Sequence, residues 1–356
     1  MSVQAKCFVF LCLILPGSAL FAQSSSSIPP DTKPLEKISP LKVITLSDYA
    51  RQAAPVITAL DIDPSGEQLA MGGDNHIVHL WDVGPKWDID TKRDIVTRRK
   101  QELREQIEWV RGIAFCDDYV HMVIVGQDGK MEIHNIQSEG HPPRTIIGRD
   151  SGMQAVACRK GGKEFAVCGF PNKVSIYNIS TGQLVRTLEA HGTSNRAIRY
   201  SPDGSRLVVA GRTGIIRVWD AVTGEVVHEL PGDGWRINAL AFNSSGNRLA
   251  AAGDGPNITI WNMENGKRSV VLPERTGKTY SLAFCGDHLL ASGEGDNVIR
   301  FWDLELKSPI ASADRPEGHH GTIAALVYKP KKYEEDKEFL ISGSFDATVR
   351  FWPIPK

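Results

Sequence analysis

The sequence predicts an all-β chain folded as a seven-bladed β-propeller and closed by an N-terminal strand. Three observations carry this: an aromatic phrase that returns seven times, turn sequences between alternating segments, and a last repeat that stops one strand short. The phrase is two or three β-branched or apolar residues, an aromatic, then a small acid or amide. Its stations are Leu80-Trp81-Asp82, Ile133-His134-Asn135, Ile176-Tyr177-Asn178, Val218-Trp219-Asp220, Ile260-Trp261-Asn262, Phe301-Trp302-Asp303 and Phe351-Trp352-Pro353. The aromatic positions are 53, 43, 42, 42, 41 and 50 residues apart. A period of about 40–45 residues ending this way marks one four-stranded blade per repeat.

The last repeat shows the unit most completely. Gly318-His319 opens it, and strand a runs over Ile323–Tyr328. The charged hairpin Lys331 to Glu338 leads to strand b, Phe339–Ser342. Gly343-Ser344-Phe345-Asp346 makes the next turn and Thr348–Trp352 is strand c. Each segment alternates with period two, as strands do. In blade four Ser201-Pro202-Asp203-Gly204 has the residues of a type I turn. The chain ends at strand c of blade seven, so its outer strand d must come from elsewhere. Leu41-Lys42-Val43-Ile44-Thr45-Leu46 is β-rich and otherwise unassigned, and it is expected to close the ring. Closure matters because an open ring leaves an edge and a sheet face unprotected.

These residues resemble the WD-repeat family of β-propellers over about residues 41–356, in a bacterial-type exported form. The resemblance implies a buried tetrad in each blade: His from Gly-His, Ser or Thr from strand b, Asp from the b–c turn and Trp from strand c. Blade seven matches at His319, Ser342, Asp346 and Trp352. A buried Asp must be paired or hydrogen-bonded, and an imidazole between a carboxylate and a hydroxyl meets that need. Blade six keeps Ser292, Asp296 and Trp302 without the His. Blade four keeps His191 and Trp219, with Thr213 at the Asp station, and blade two keeps Asp128 alone. Blades three and five have mostly lost the tetrad.

With 356 residues, two domains are possible by length, but the repeats use nearly the whole chain and one large domain is expected. Lys and Arg number 41 against 42 Asp and Glu, a balance that gives no global pull toward nucleic acid or anionic membrane. Residues 1–22 have the plan of a secretory signal peptide: Lys6, an apolar stretch from Cys7 to Leu15, then Pro16-Gly17 before Ala19 and Ala22. Cleavage after Ala19 or after Ala22 both fit. The stretch is too short and broken to span a bilayer, so the mature chain has no membrane span; a retained anchor is the competing account. The implied address is periplasmic or extracellular. Residues 23–40, with five serines and four prolines, read as a linker without a fold of its own.

Four cysteines remain beyond the leader: Cys116, Cys158, Cys168 and Cys285. None stands in a Cys-x-x-Cys arrangement, which removes redox-motif, zinc-ribbon and attached-haem readings. Cys158 and Cys168 lie on neighbouring strands about three residues out of register, so four free thiols are expected.

Several strings imitate catalytic signatures and fail on context. Gly277-Lys278-Thr279 looks like the end of a phosphate loop, but the first glycine would fall at Leu272 and a strand comes next where a helix is needed. Asp61 to Gly66 begins like a calcium loop, yet Gly72 stands where the bidentate Glu belongs. His319, Ser342 and Asp346 could pass for a hydrolase triad, but the tetrad explains the same residues and adds Trp352. No catalytic residue, metal site or cofactor is assigned.

A partner is expected on the narrow top face, built from the d–a and b–c turns. Aligning the repeats puts Asp74, Gln127, Phe170, Arg212, Asp254, Gly295 and Phe345 just before the b–c turn. It puts Val56, Trp109, Gly152, Ser194, Arg236, Lys278 and Thr322 where strand a begins. A rim with Trp109, Phe170, Arg212, Arg236, Lys278 and Phe345 is rich in the side chains that dominate binding hot spots. The competing account makes some of these aromatics caps on the blade cores. The charged stretches Lys86 to Glu108 and Lys331 to Glu338 are either solvated faces or docking arms. Two functions remain: an exported non-catalytic scaffold binding a protein or peptide, or a propeller enzyme or small-molecule binder with a site in the central channel.

Overall fold

Alternation along each repeat builds four antiparallel strands, a to d from the centre outward, and seven such sheets form the chain. The computed structural model describes residues 35–46, 54–83, 97–103, 108–138, 142–148, 152–272, 277–314, 317–331 and 338–356. The leader and residues 23–34 lie outside the described residues, as do 84–96 and 332–337 in the two charged stretches. Strand d of blade one, expected within the first of these, is present as Thr97–Leu103.

Strands a run Ile57–Ile62, Val110–Phe115, Met153–Cys158, Asn195–Tyr200, Ile237–Phe242, Thr279–Phe284 and Ile323–Lys329. Each lies beside the next around the centre, and the last lies beside the first, so the ring is closed. Strand b is sandwiched between neighbouring blades and buried along almost its whole length, as in Phe339–Ser344. Outer strands such as Leu184–Glu189 face solvent. There is consequently no single core. Apolar layers sit between successive blades: Val208 and Val218 of blade four, for example, pack with Leu240 and Trp261 of blade five.

One irregularity repeats in every blade. The pairing of strand a with strand b slips at the second residue of strand a, from Thr58 in blade one to Ala324 in blade seven. Such a bulge adds twist and re-aims the extra side chain. Glycine ends strand b in blades one to five and lets the backbones close up. A Cβ at Gly73 would lie 1.7 Å from the Val56 carbonyl oxygen, and one at Gly253 would lie 1.9 Å from that of Arg236. No substitution fits there without moving backbone.

Closure agrees with the sequence expectation. Lys42–Thr45 pairs antiparallel with Thr348–Pro353, Lys42 opposite Phe351 and Thr45 opposite Thr348. The linker expectation needs a correction at its C-terminal end. Glu36–Lys37 adds a fifth, parallel strand to blade six against Ser308–Ala313, and the Ile38 amide donates to the Ser312 carbonyl at 3.0 Å. Ile38 is the apolar anchor, buried among Ala311, Ala313 and Trp352, and a polar linker residue could not serve there. Cys158 faces Phe165 and Cys168 faces Ala155, three residues out of register, and the four described cysteines are free.

Ile44 is buried between blades seven and one with Ile57, Leu69 and Phe351, whereas its neighbour Val43 is exposed. Ile44→Ala is expected to lower unfolding free energy by about 2–4 kcal/mol, and Val43→Ala to change it by less than about 0.5 kcal/mol. Urea unfolding of both variants checks this; equal effects would contradict the closure register.

Candidate functional site

In blade seven the tetrad residues form one continuous chain of hydrogen bonds. Trp352 Nε1 donates to Ser342 Oγ at 2.8 Å, and Ser342 Oγ lies 2.6 Å from His319 Nε2. His319 Nδ1 lies 3.0 Å from Asp346 Oδ2. Asp346 also accepts from the amides of His320 and Thr348 and from the Thr348 hydroxyl. Burial lowers the His319 pKa against the opposing pull of Asp346. Burial alone would raise that of Asp346, but the bonds from His319, Thr348 and the His320 amide outweigh it and hold the carboxyl well below its usual range. An ionised Asp346 beside a neutral His319 with its proton on Nδ1 satisfies every member, each donating to the next. Ser342, His319 and Trp352 are all fully buried, leaving the hydroxyl no surface for a substrate to reach.

Blade six builds a different chain around the same Trp and Ser. Trp302 Nε1 donates to Ser292 Oγ at 2.9 Å, and Ser292 Oγ donates to Glu294 Oε1 at 2.8 Å. Arg300 then joins the buried Glu294 to Asp296, with 2.7 Å to Asp296. Glu294 and Arg300 therefore replace the missing imidazole with a carboxylate and a guanidinium. Blade two pairs His134 Nε2 with Glu132 at 2.9 Å, both buried. In blades one and five the strand-b hydroxyl has become Met71 and Ala251, and the buried indole nitrogens of Trp81 and Trp261 have no hydrogen-bond partner among the described residues.

At the top face the two stations read from the alignment meet. The amides of Gln127, Phe170, Arg212, Asp254, Gly295 and Phe345 donate to the carbonyls of Trp109, Gly152, Ser194, Arg236, Lys278 and Thr322, at 2.8–3.2 Å. Phe170 and Phe345 are 47% and 44% exposed, and Arg212 and Lys278 are also exposed. Arg236 is half-buried, 3.8 Å from Asp254, which lies 3.7 Å from Lys278 and accepts from Asn238 Nδ2 at 3.0 Å. Trp109 differs from the expected exposed rim residue. It is half-buried under the Arg111 guanidinium, 4.2 Å from the ring centroid, with its Nε1 shielded from solvent.

Inside the ring the channel widens into two chambers. The bulged residues Thr58, Arg111, Gln154, Arg196, Asn238, Tyr280 and Ala324 line the upper one, about 250 Å³. The lower chamber, about 480 Å³, is walled by the fifth residues of the a strands. Five of these are Ala114, Ala157, Ala241, Ala283 and Val327; the other two are Asp61 and Arg199. The Phe115 amide donates to Asp61 at 2.8 Å. Burial, partly offset by that bond and by Arg199, raises the Asp61 pKa to about 6. Arg199 is open to solvent in the channel, and desolvation by the surrounding protein lowers its pKa against the pull of Asp61. Among the described residues no group of three or more His, Cys, Asp and Glu could hold a metal ion. Burial pushes the Cys168 thiol up to about 12, away from nucleophile chemistry.

The family described as WD domain, G-beta repeat matches residues 43–82, 182–220, 224–262, 266–303 and 313–353, more than half of the chain. The chain belongs to the WD-repeat family. The probable cytosolic iron-sulfur protein assembly protein 1 of Neurospora crassa is similar at 31% identity over 84 residues, 23% of this chain and 18% of that protein. Mouse transducin beta-like protein 3 is similar at 31% over 68 residues, 19% of this chain and 8% of that protein. The chain thus spans under a fifth of the relatives it matches. Blades two and three, which lack most of the WD-repeat tetrad, are also the two without a family match.

Sequence reasoning missed six residues of this WD-repeat face and channel. Trp235, 56% exposed beside Arg236, and Tyr280, 37% exposed, belong to the rim. Arg111, Arg196, Asp61 and Arg199 line the channel. A column-by-column alignment of strand a would have exposed the last pair, since the other five blades carry Ala or Val there.

Asp346 accepts four hydrogen bonds, while Ser342 links two groups. Asp346→Ala should therefore cost about 3–4 kcal/mol and Ser342→Ala about 1–2 kcal/mol, measured by urea unfolding; the reverse order would contradict the bonding described. Asp346 is more acidic folded than unfolded, so its contribution is present above about pH 4 and fades as pH falls through the folded pKa. Asp61 has the opposite sign. Its folded pKa is raised, so the folded state loses stability as pH rises from about 4 through 6. Asp61→Asn is expected to melt higher than wild type near neutral pH, with the difference gone by about pH 4. A lower melting temperature at neutral pH would show that the Arg199 pairing outweighs the burial.

Proposed function

We propose that this WD-repeat protein is an exported, non-catalytic scaffold that binds a protein or peptide on its top face. One observation carries the reading. Of the five exposed aromatic side chains among the described residues, Phe170, Trp235, Tyr280 and Phe345 lie in or beside the top-face turns, and Tyr280 and Phe345 line the upper chamber. Aromatics beside Arg212, Arg236 and Lys278 form the surface composition from which binding hot spots are drawn. The complete burial of Ser342 and His319 supports a structural tetrad, and the leader-like residues 1–22 support export to the periplasm or the exterior. The name of the Neurospora relative, an assembly protein, agrees with holding other proteins together. The balanced charge supports neither nucleic acid nor a membrane surface as the partner. No helix among the described residues is long and apolar enough to cross a membrane.

A second reading, a small-molecule site in the channel, is favoured by Asp61 and Arg199 in the lower chamber. It requires a ligand that touches both charges.

Affinity capture from the exported fraction, read by mass spectrometry, tests the first reading. Phe170→Ala with Trp235→Ala and Arg236→Ala should leave melting nearly unchanged and weaken capture of the wild-type partner by about 2 kcal/mol or more. Undiminished capture would move the site off the top face, and recovery of the chain from the cytosol alone would overturn export.

A further inference from the structure

Three successive blades send Arg111, Gln154 and Arg196 into the upper chamber from their strand-a bulges. Among the described residues the guanidinium of Arg111 is held by neutral groups only: it lies over the Trp109 ring and donates to Gln127 Oε1, 3.1 Å from its Nε. The Nε of Arg196 is shielded from solvent and has no hydrogen-bond partner among the described residues. The acid whose field reaches Arg196, Asp254, already serves Arg236, Lys278 and Asn238. Burial and then mutual repulsion lower the pKa of both arginines, Arg111 facing Arg196 and Arg196 facing Arg236. The bulged ring itself contributes no carboxylate. The chamber thus holds fixed positive charge with no carboxylate of its own and only the shared field of Asp254 against it, in a depression lined by Tyr280 and Phe345.

We infer that the partner inserts the carboxylate of an acidic side chain into the upper chamber between Arg111 and Arg196, with flanking apolar side chains resting on Phe170, Trp235 and Phe345. The inference rests on the top-face reading and gives it a chemistry. Size favours a side chain: about 250 Å³ is below the range of about 300–1,000 Å³ typical of pockets for whole drug-sized ligands. Geometry favours a carboxylate, because guanidinium groups bind planar anions through paired N–H donors. The exposed aromatics favour a polypeptide over a free ion, since an ion would leave them unused.

A displayed library of short random peptides, selected on the wild type and on Arg111→Gln/Arg196→Gln, tests this. Both arginines line the channel wall, and Arg111 also covers Trp109, so the double variant is expected to melt within a few degrees of the wild type, which heat denaturation verifies. The wild-type pool should be enriched in Asp or Glu at one position. Replacing that acid by its amide should weaken binding about tenfold or more, and the double variant should bind acid and amide peptides alike. A wild-type pool without acids, or an amide peptide that binds as well as the acid, overturns the inference. Such a pool, if lost on Phe170→Ala/Phe345→Ala, leaves the top-face reading intact; a pool indifferent to those aromatics removes both. Stabilisation by inorganic phosphate or acetate with no peptide enriched would make the chamber a free-anion site and also overturn it.

Discussion

Every blade is built around one close approach, where the end of strand b passes the start of strand a. In four blades a Cβ on Gly73, Gly169, Gly211 or Gly253 would stand 1.7–2.3 Å from the carbonyl oxygen of the residue before strand a. In all seven blades the a–b pairing also shifts there by one residue, and the shifted residue has no partner across the sheet. Strands that crowd a narrow centre need extra twist, and a bulge supplies it. The channel mouth is therefore lined by whatever occupies the second position of strand a. The backbone fixes that position seven times and leaves its side chain free to vary, from Thr58 through Arg196 to Ala324. The next residue is small in every blade, which suits the inner wall of the ring.

The polar chains within blades show the same division between fixed position and variable chemistry. Trp352 and Trp302 both need an acceptor, and Ser342 and Ser292 supply it in the same register. The groups beyond the serine differ: an imidazole and Asp346 in one blade, Glu294 with Arg300 and Asp296 in the other. Both satisfy the buried groups. They differ in chemistry, because the first contains an imidazole whose pKa burial lowers and the second contains none. Where the serine is absent, at Met71 and Ala251, the indole nitrogen has no acceptor, and each such site costs about 1–3 kcal/mol. The apolar layers between blades are extensive enough to tolerate this, which is how a repeat can lose its tetrad and remain a blade.

The architecture was legible because it rests on period and turn chemistry, which are local. Seven aromatic stations, the turns beside them and the missing last strand were enough to name the fold and the closing segment, and the two top-face stations fell in the right register in all seven blades. The tetrad of blade seven was legible by resemblance. The chain of blade six was not, because Glu294 sits where five blades carry glycine and blade seven carries Ser344, Arg300 sits at a station held elsewhere by His79, Glu132, Ser175, Arg217, Thr259 and Arg350, and only their meeting reveals the role. The strap Glu36 to Ile38 was hidden by composition: a single isoleucine among polar residues and prolines looks like linker until its partner strand is known. Trp109 was placed in the correct turn, but no sequence signal says that Arg111 folds back over its ring. Side-chain direction at a bulge depends on twist, and twist is not written in a hydropathy pattern.

The blades are not equivalent in burden. Blades six, seven and one carry the closing strand, the strap and both complete polar chains, so they hold the ring together. Blades two to four contribute Arg111, Gln154 and Arg196 to the channel mouth, and blades two and three have little of the tetrad left. A ring sealed at one side tolerates weaker bonding at the other, because each blade is still packed between two neighbours. Loss of the tetrad in blades two and three removes buried polar groups that would otherwise fix the surrounding turns, and those turns are the ones that present Trp109, Phe170 and Gln127. Stability concentrated around the closure thus leaves the opposite arc of the top face free to carry charges and aromatics, such as Arg111, Arg212 and Phe170, that the tetrad does not require.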